Sequence, residues 1–506
     1  MAAAAWQLGI AHPPGHPLAL LVGKFVCLLP LGSIAFRVGL ASAVCQAGAS
    51  ALVARLADRL IGAIAPKLAA RPRGLLAMAA GWLYGTTYSA TFQAVRPEVY
   101  ALSTLLLVAT ALHLVEGLSQ TNESSLRRAA LLGGLGLANH HLLALAVALP
   151  AFFVLVRPWR RAIAAGLAVA ISLMLYGYLP LRAQRHPTID WGAPTTIERF
   201  VWTVSARAFQ KSLERGRRTD SGMVLGATTA ESNLVGLFAG VVGLWLLIRR
   251  RHVAIGVLLA SSICLTIVAS SIVGFDETNP DAYGYLSGAL ALLAAVAATP
   301  FALLLSARRR ATLLAGLLAT MAPLALLRHA RFDLSRHTTT DSVAAWIEGA
   351  PPRRLLVTSY FQTAFLALYA QSVEGRRPDL LHVDRHFLTY PGYRDEILAR
   401  WPHLLPHLGM RDVVPSVRDA VVEYAQDLPA TLIPISSLPE VPLTTEPQAR
   451  RFVAWMRLLA VDRSCRLGDR QLFEQSRQRA ASLLGSDEYF LQLLLRCKNL
   501  GTLERP

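Results

Sequence analysis

The chain has 506 residues, of which 54% are hydrophobic and only 16% charged. A soluble globular protein carries about 25% charged residues, so this balance excludes an ordinary soluble domain and points to a polytopic α-helical membrane protein. The net charge of +18 invites a nucleic-acid reading, but nearly all of it is arginine, much of it in short connections between apolar runs.

Those connections carry Lys67, Arg71 and Arg73; Arg127 and Arg128; Arg157, Arg160 and Arg161; Arg249 to Arg251; and Arg308 to Arg310. This is the positive-inside signature of cytoplasmic loops, and no nucleic-acid partner is expected. The bias to arginine and alanine fits a high-GC bacterial genome.

At the start, residues 6–17 have neither the basic n-region nor the cleavage site of a signal peptide. The run His12-Pro13-Pro14-Gly15-His16-Pro17 predicts a rigid corner ahead of a short apolar helix, interrupted by Lys24 and ended by Pro30. Charge-free runs follow at 74–95, 129–156, 162–181, 253–275 and 282–307. A span needs about 20 apolar residues, and most of these qualify. Shorter runs at 38–54, 99–115, 233–248 and 311–327 bring the expected total to about nine or ten spans.

With the arginine-rich connections inside, residues 1–37 lie outside and the spans alternate. One condition attaches: the 129–156 run, arginine-flanked at both ends, must be two short helices broken near 136–141, where Asn139, His140 and His141 stand. Polar groups at membrane depth need a cavity or a partner, so a break there is physically sound.

On this topology residues 182–231 form an external loop, with 197–209 at amphipathic spacing suited to lying on the membrane surface. Its Arg182, Arg185, Arg199, Arg207 and Lys211 run against the charge trend. Either they are an exported exception or they form an anion-binding surface.

The expected organisation is an external loop and juxtamembrane helix over residues 1–37, a membrane body over 38–328 and an external domain over 329–506. In the last, a strand at 355–358, a helix at 361–373 and a strand at 380–383 read as a βαβ unit. The rest reads mainly as helices, with a further strand at 430–435. No dinucleotide, P-loop, zincin or nucleophile-elbow motif appears in it. Cys27, Cys45 and Cys264 lie in apolar helices; Cys465 and Cys497 are either one disulfide or, by preference, two core thiols.

Several external patches carry chemistry. Arg96-Pro97-Glu98-Val99-Tyr100 opens a membrane helix, with Pro97 suited to its first turn. Glu98 there is either a helix-terminus charge or a functional carboxylate. Asn139, His140 and His141 either satisfy neighbouring carbonyls or serve a site. Asp276, Glu277 and Asp281 precede a span as a cation site or as a solvated turn. His12 shapes a helix start or orients a phosphate. Arg182 suits a phosphate at headgroup depth through its bidentate fork, or anchors the interface. Such groups on one side of an apolar body suit an enzyme joining a lipid-phosphate substrate to a polar acceptor.

Residues 6–17, Leu31-Gly32, Ala35-Phe36-Arg37-Val38, Ala94, Glu98-Val99-Tyr100-Ala101-Leu102, Gly136-Leu137 with Asn139-His140, Tyr178-Leu179-Pro180-Leu181-Arg182 and Asp190-Trp191-Gly192 with Arg199-Phe200 form a set. Together they resemble the bacterial relatives of the transmembrane O-mannosyltransferases, within the type C glycosyltransferases. Residues 373–379, Val-Glu-Gly-Arg-Arg-Pro-Asp, resemble a motif of that family's external domain. The likeness is good over residues 2–207 and loose beyond.

The resemblance implies an inverting transfer of a mannose-like sugar from a polyprenyl-phosphate donor to a protein or glycan hydroxyl on the external face. It implies an inner-membrane, multi-pass protein with its C-terminal domain on the periplasmic side. It also implies a membrane-lying helix, here residues 17–31, and an acidic first external loop whose carboxylate is base or metal ligand. That acidic stretch and the first span are expected just before Ala2. Either the start is assigned too late, which the intact downstream motifs favour, or the loop was lost.

Glu98 and His140 are the catalytic candidates; Arg96, Arg182, His12 and Asn139 are the donor-phosphate candidates. Metal ligands stay open, and a divalent cation is the one cofactor under consideration. The rival readings are a transporter of lipid-linked saccharide and a non-catalytic scaffold derived from such an enzyme.

Overall fold

A computed structural model describes residues 1–156, 158–209, 221–275 and 279–305, and beyond them mainly 355–358, 361–384, 390–393 and 470–484. By its internal contacts the chain divides into two units, Met1–Phe332 and Asp333–Pro506.

The first unit is built of helices. Two short ones lead in: α1 (Ala2–Gln7) and α2 (Pro17–Cys27). Then come α3 (Ile34–Ile64), α4 (Ala70–Gly85), α5 (Tyr88–Ala94), α6 (Tyr100–Gln120) and α7 (Glu123–Leu155). After them run α8 (Trp159–Leu173), a 3-10 turn, α9 (Tyr178–Ala183), α10 (Ile197–Val204), α11 (Ser221–Arg249), α12 (Val253–Val273) and α13 (Pro280–Leu305).

Among the described residues, seven helices are long and apolar enough to cross a membrane: α3, α6, α7, the run Trp159–Ala183, Gly222–Arg249, α12 and Asp281–Leu305. The chain is therefore a polytopic helical membrane protein. Large apolar side chains such as Phe153, Ile171 and Phe238 stand 77%, 62% and 71% exposed, as a lipid-facing surface requires.

Several expectations are corrected. The 74–95 run makes no single span: α4 ends at Gly85, and the Thr87 hydroxyl restarts the chain as α5 by accepting from the Ala90 N–H at 3.2 Å. Pro97 is not in the first turn of α6, which starts at Tyr100 with Val99 as its N-cap. The amphipathic stretch at 197–209 is helical to Val204, turns at 205–206 and is helical again over 207–209. The run at 311–327, the 430–435 strand, Cys465, Cys497, Asp276 and Glu277 lie outside the described residues.

The α7 helix doubles back. His140 has φ −153° and ψ 94°, off the helical path. A Cβ placed on Gly136 would meet that of Ala144 at 3.2 Å, positions about 12 Å apart along an unbroken helix. Gly133, Gly136, Ala144 and Val147 line one small cavity together with Thr110 of α6. Glu123 opens α7 and pairs with Arg161, just beyond its far end. Both ends of α7 therefore lie on one side, and residues 139–141 form the tip of a helical hairpin. Small residues let its limbs approach.

This end carries the charge. Arg59 meets Glu116 at 3.0 Å and Arg73 meets Asp58 at 2.7 Å. The helix α6 carries the chain from this basic end, at Glu116, to Tyr100 about 24 Å away. Between the ends, Tyr84 joins three helices, accepting from Gln46 Nε2 at 2.7 Å and sharing a 2.7 Å bond with Ser287.

In the second unit, β1 (Leu355–Thr358) and β2 (Leu381–Asp384) pair in parallel, Leu355 opposite Leu381, across α14 (Phe361–Ser372). This is the expected βαβ unit. A further helix, α15, covers Arg470–Leu484. The turn after α14 is tied by Arg377, whose Nε and Nη2 both reach Asp379 at 2.9 Å while Nη1 reaches the Ile347 carbonyl at 2.8 Å.

Candidate active site

The corner at residues 12–17 stands at the end of the first unit opposite its basic connections. The Pro13–Pro14 bond is cis, and His16 takes φ 46° as the residue before α2, with Pro17 in the first turn. Its surroundings clamp it. Ile10 N–H donates to the Ile189 carbonyl at 2.7 Å, and Trp191 N–H returns to Ile10 at 3.3 Å. Tyr178 Oη donates to the Gly9 carbonyl at 2.8 Å. Arg182 donates through Nε to the Leu8 carbonyl at 2.7 Å and through Nη2 to that of Gln7 at 3.1 Å.

Three imidazoles meet inside this clamp. The His12 and His16 ring centroids are 4.9 Å apart, and His16 and His140 are 5.4 Å apart. Tyr100 and Tyr285 flank His140 at 5.9 and 5.4 Å, with His141 at 6.3 Å. Trp191 and Phe209 edge against His12 at 5.9 and 6.1 Å. Burial pushes His12 below its ordinary 6.5, against the opposing pull of the Glu98 carboxylate. Burial and the neighbouring imidazoles push His16 well below. Both rings are thus uncharged at neutral pH.

The hairpin tip is anchored from two sides. Asn139 Nδ2 donates to the Val99 carbonyl at 3.1 Å and to Ser103 Oγ at 2.7 Å. The Asn139 carbonyl lies 2.6 Å from His16 Nδ1. With Nδ1 donating, the His16 Nε2 keeps its lone pair. That atom, Asn139 Oδ1 and His141 Nδ1 are buried and have no hydrogen-bond partner among the described residues. Buried polar atoms are ordinarily satisfied, so these three keep spare bonding capacity around the hairpin tip.

The acidic side lies between the lead-in to α6 and the start of α13. Arg96 Nη1 meets Asp281 Oδ1 at 2.9 Å. Glu98 is half-buried, and among the described residues its carboxylate has no hydrogen-bond or ion-pair partner.

Of the six residues expected to form the site, the structure gathers His12, Glu98, Arg96, Asn139 and His140 at one end of the bundle. Asn139 is there as an anchor of the tip. Arg182 is at the same end, but two of its nitrogens are spent on the carbonyls of Gln7, the last residue of α1, and of Leu8 beyond it, which makes it a brace for the corner. His16, Tyr100, Tyr285 and the pairing of Asp281 with Arg96 were not anticipated. For His16 the signal lay in the run itself, four residues after His12. Among the described residues, no group of three or more His, Cys, Asp or Glu could hold a metal ion; Asp276 and Glu277 of the expected cation site lie outside the described residues.

Residues 1–162 match the family model described as the protein O-mannosyl-transferase TMEM260 N-terminal domain. The mouse (Mus musculus) protein O-mannosyl-transferase TMEM260 is 30% identical over 211 residues, which cover 39% of this chain and 29% of that relative. The chain thus spans less than a third of the curated relative's length. The relationship takes in the corner, Glu98 and the hairpin tip, and it supports a glycosyltransferase-like function in general.

Proposed function

From this relation to the protein O-mannosyltransferases, we propose that the chain transfers a mannose-like sugar from a polyprenyl-phosphate donor to a hydroxyl of a protein or glycan on the external face. One observation carries the reading. A carboxylate that has no hydrogen-bond or ion-pair contact among the described residues, Glu98, stands near a guanidinium and a stack of buried imidazoles at one end of an apolar bundle. Membrane proteins seldom spend such groups there without use.

In this mechanism Glu98 takes the proton of the acceptor hydroxyl. The acceptor oxygen attacks the anomeric carbon from the face opposite the phosphate. The bond from that carbon to the phosphate oxygen breaks, and its electron pair leaves with the lipid phosphate. Arg96 and N–H groups of His12 and His140 take up the charge that develops on the leaving group. The outcome is inversion at the anomeric carbon. Asn139 and Arg182 hold the hairpin tip and the corner in register.

The test is transfer by the full chain in lipid nanodiscs, given polyprenyl-phosphate mannose and serine- or threonine-containing peptides. Mannosylated peptide with release of polyprenyl phosphate is expected. Binding of the donor with flux across proteoliposomes and no transfer would instead establish the transporter reading.

A further inference from the structure

The group that faces Arg96 is a carboxylate of its own chain. Arg96 Nη1 lies 2.9 Å from Asp281 Oδ1; both atoms are buried and, among the described residues, neither makes a hydrogen bond of good geometry, while the two side chains as wholes are 22% and 37% exposed. A guanidinium presents a planar fork that matches two oxygens of a phosphate at once, and such bidentate charged contacts are stronger than single ones. Arg96 therefore holds its carboxylate with less than its full capacity.

The charge count makes sharing unfavourable. Arg96 interacts with two carboxylates, Asp281 and Glu98, and the nearby His12 and His16 are uncharged at neutral pH. A phosphate added with Asp281 in place would gather three anions around one cation, and like charges at such distances repel strongly where water is scarce. The Asp281 backbone is independently held, its N–H donating to Asn279 Oδ1 at 3.1 Å. Its side chain can therefore change rotamer without disturbing the start of α13.

We propose that Asp281 and the phosphate group of the ligand compete for the Arg96 guanidinium, so that phosphate binding expels the Asp281 carboxylate. This rests on the reading of the site as one for a lipid phosphate. It makes Asp281 a positioning residue that sets how tightly the phosphate is held, and it couples donor binding to the release of a second carboxylate near Glu98.

The test measures undecaprenyl phosphate binding to the full chain in nanodiscs, with inorganic phosphate as a parallel probe. Asp281→Asn is expected to tighten lipid binding by about five- to tenfold. The same substitution in an Arg96→Gln background is expected to give no gain, because the competed group is gone. A gain with both probes assigns the competition to the phosphate group itself, and a gain with the lipid alone assigns it to the headgroup in its membrane setting. Unchanged or weaker lipid binding by Asp281→Asn, where Arg96→Gln abolishes binding, overturns the competition and leaves the site reading standing. If neither the unsubstituted chain nor its variants bind the lipid, the site reading falls with it.

A second measurement needs no variant. Carbodiimide labelling of carboxylates, read by peptide mass spectrometry on the unsubstituted chain, should rise at Asp281 when undecaprenyl phosphate is added. A fall or no change overturns the proposal.

Discussion

His16 and Asn139 are 123 residues apart in sequence, yet the imidazole Nδ1 of one lies 2.6 Å from the carbonyl oxygen of the other, in full burial. The contact exists because α7 leaves its helical path at His140, which frees the preceding carbonyl from the helix's own bonding pattern. The corner thus satisfies a group that the hairpin exposes, and each fixes the other.

Replacing His16 by Phe keeps a ring in the stack and deletes this bond. The buried Asn139 carbonyl is then left without its partner, at a cost of about 1–3 kcal/mol. A lower melting temperature is expected, with faster amide exchange at residues 139–142 than elsewhere in α7. Unchanged exchange at the tip would show that the contact does not hold it.

Arg182→Lys tests the brace. Lysine keeps the charge but not the geometry that serves the Leu8 and Gln7 carbonyls together. The expected result is easier proteolysis within residues 1–10, with undecaprenyl phosphate affinity changed less than twofold in whatever fraction stays folded. A selective loss of affinity with the N-terminal segment still protected would restore Arg182 to the phosphate.

Much of this architecture was legible in the sequence because lipid imposes a length rule on apolar runs and a sign rule on loops. The α7 hairpin could be anticipated from arginines at both ends of one overlong run. The 74–95 run was misread because hydropathy does not register a single hydroxyl, that of Thr87, that ends one helix and starts another. At the site, residue types were readable and partners were not. Nothing local in sequence says that Arg182 will meet carbonyls of residues 7 and 8, or that Arg96 will meet Asp281, 185 positions on. Those depend on which ends of which helices come together.

Glu98→Gln separates chemistry from scaffolding. The side chain keeps its shape and, having no partner among the described residues, takes no bond with it when its charge is removed. Melting temperature should shift little, while sugar transfer falls by about 100-fold or more, the usual contribution of a general base. A turnover within threefold of the unsubstituted chain would move the base elsewhere. Asp281→Asn assayed beside it distinguishes the two carboxylates.

Acid should destabilise the imidazole stack, and the sign follows from burial. In the unfolded chain His12 and His16 titrate near 6.5; in the folded chain both are lowered, His16 the more strongly. Below about 6.5 the unfolded chain therefore binds more protons than the folded one, and stability falls with falling pH. Above that value both states are neutral and these residues contribute no slope. Thermal unfolding between pH 5 and 8 should show the fall on the acid side, reduced in the double variant His12→Gln/His16→Gln once its own lower baseline is subtracted. An identical slope in that variant would place the titration in other groups. One such group is His382 of the second unit, which burial lowers to about 4, and His382→Gln would then remove what remains.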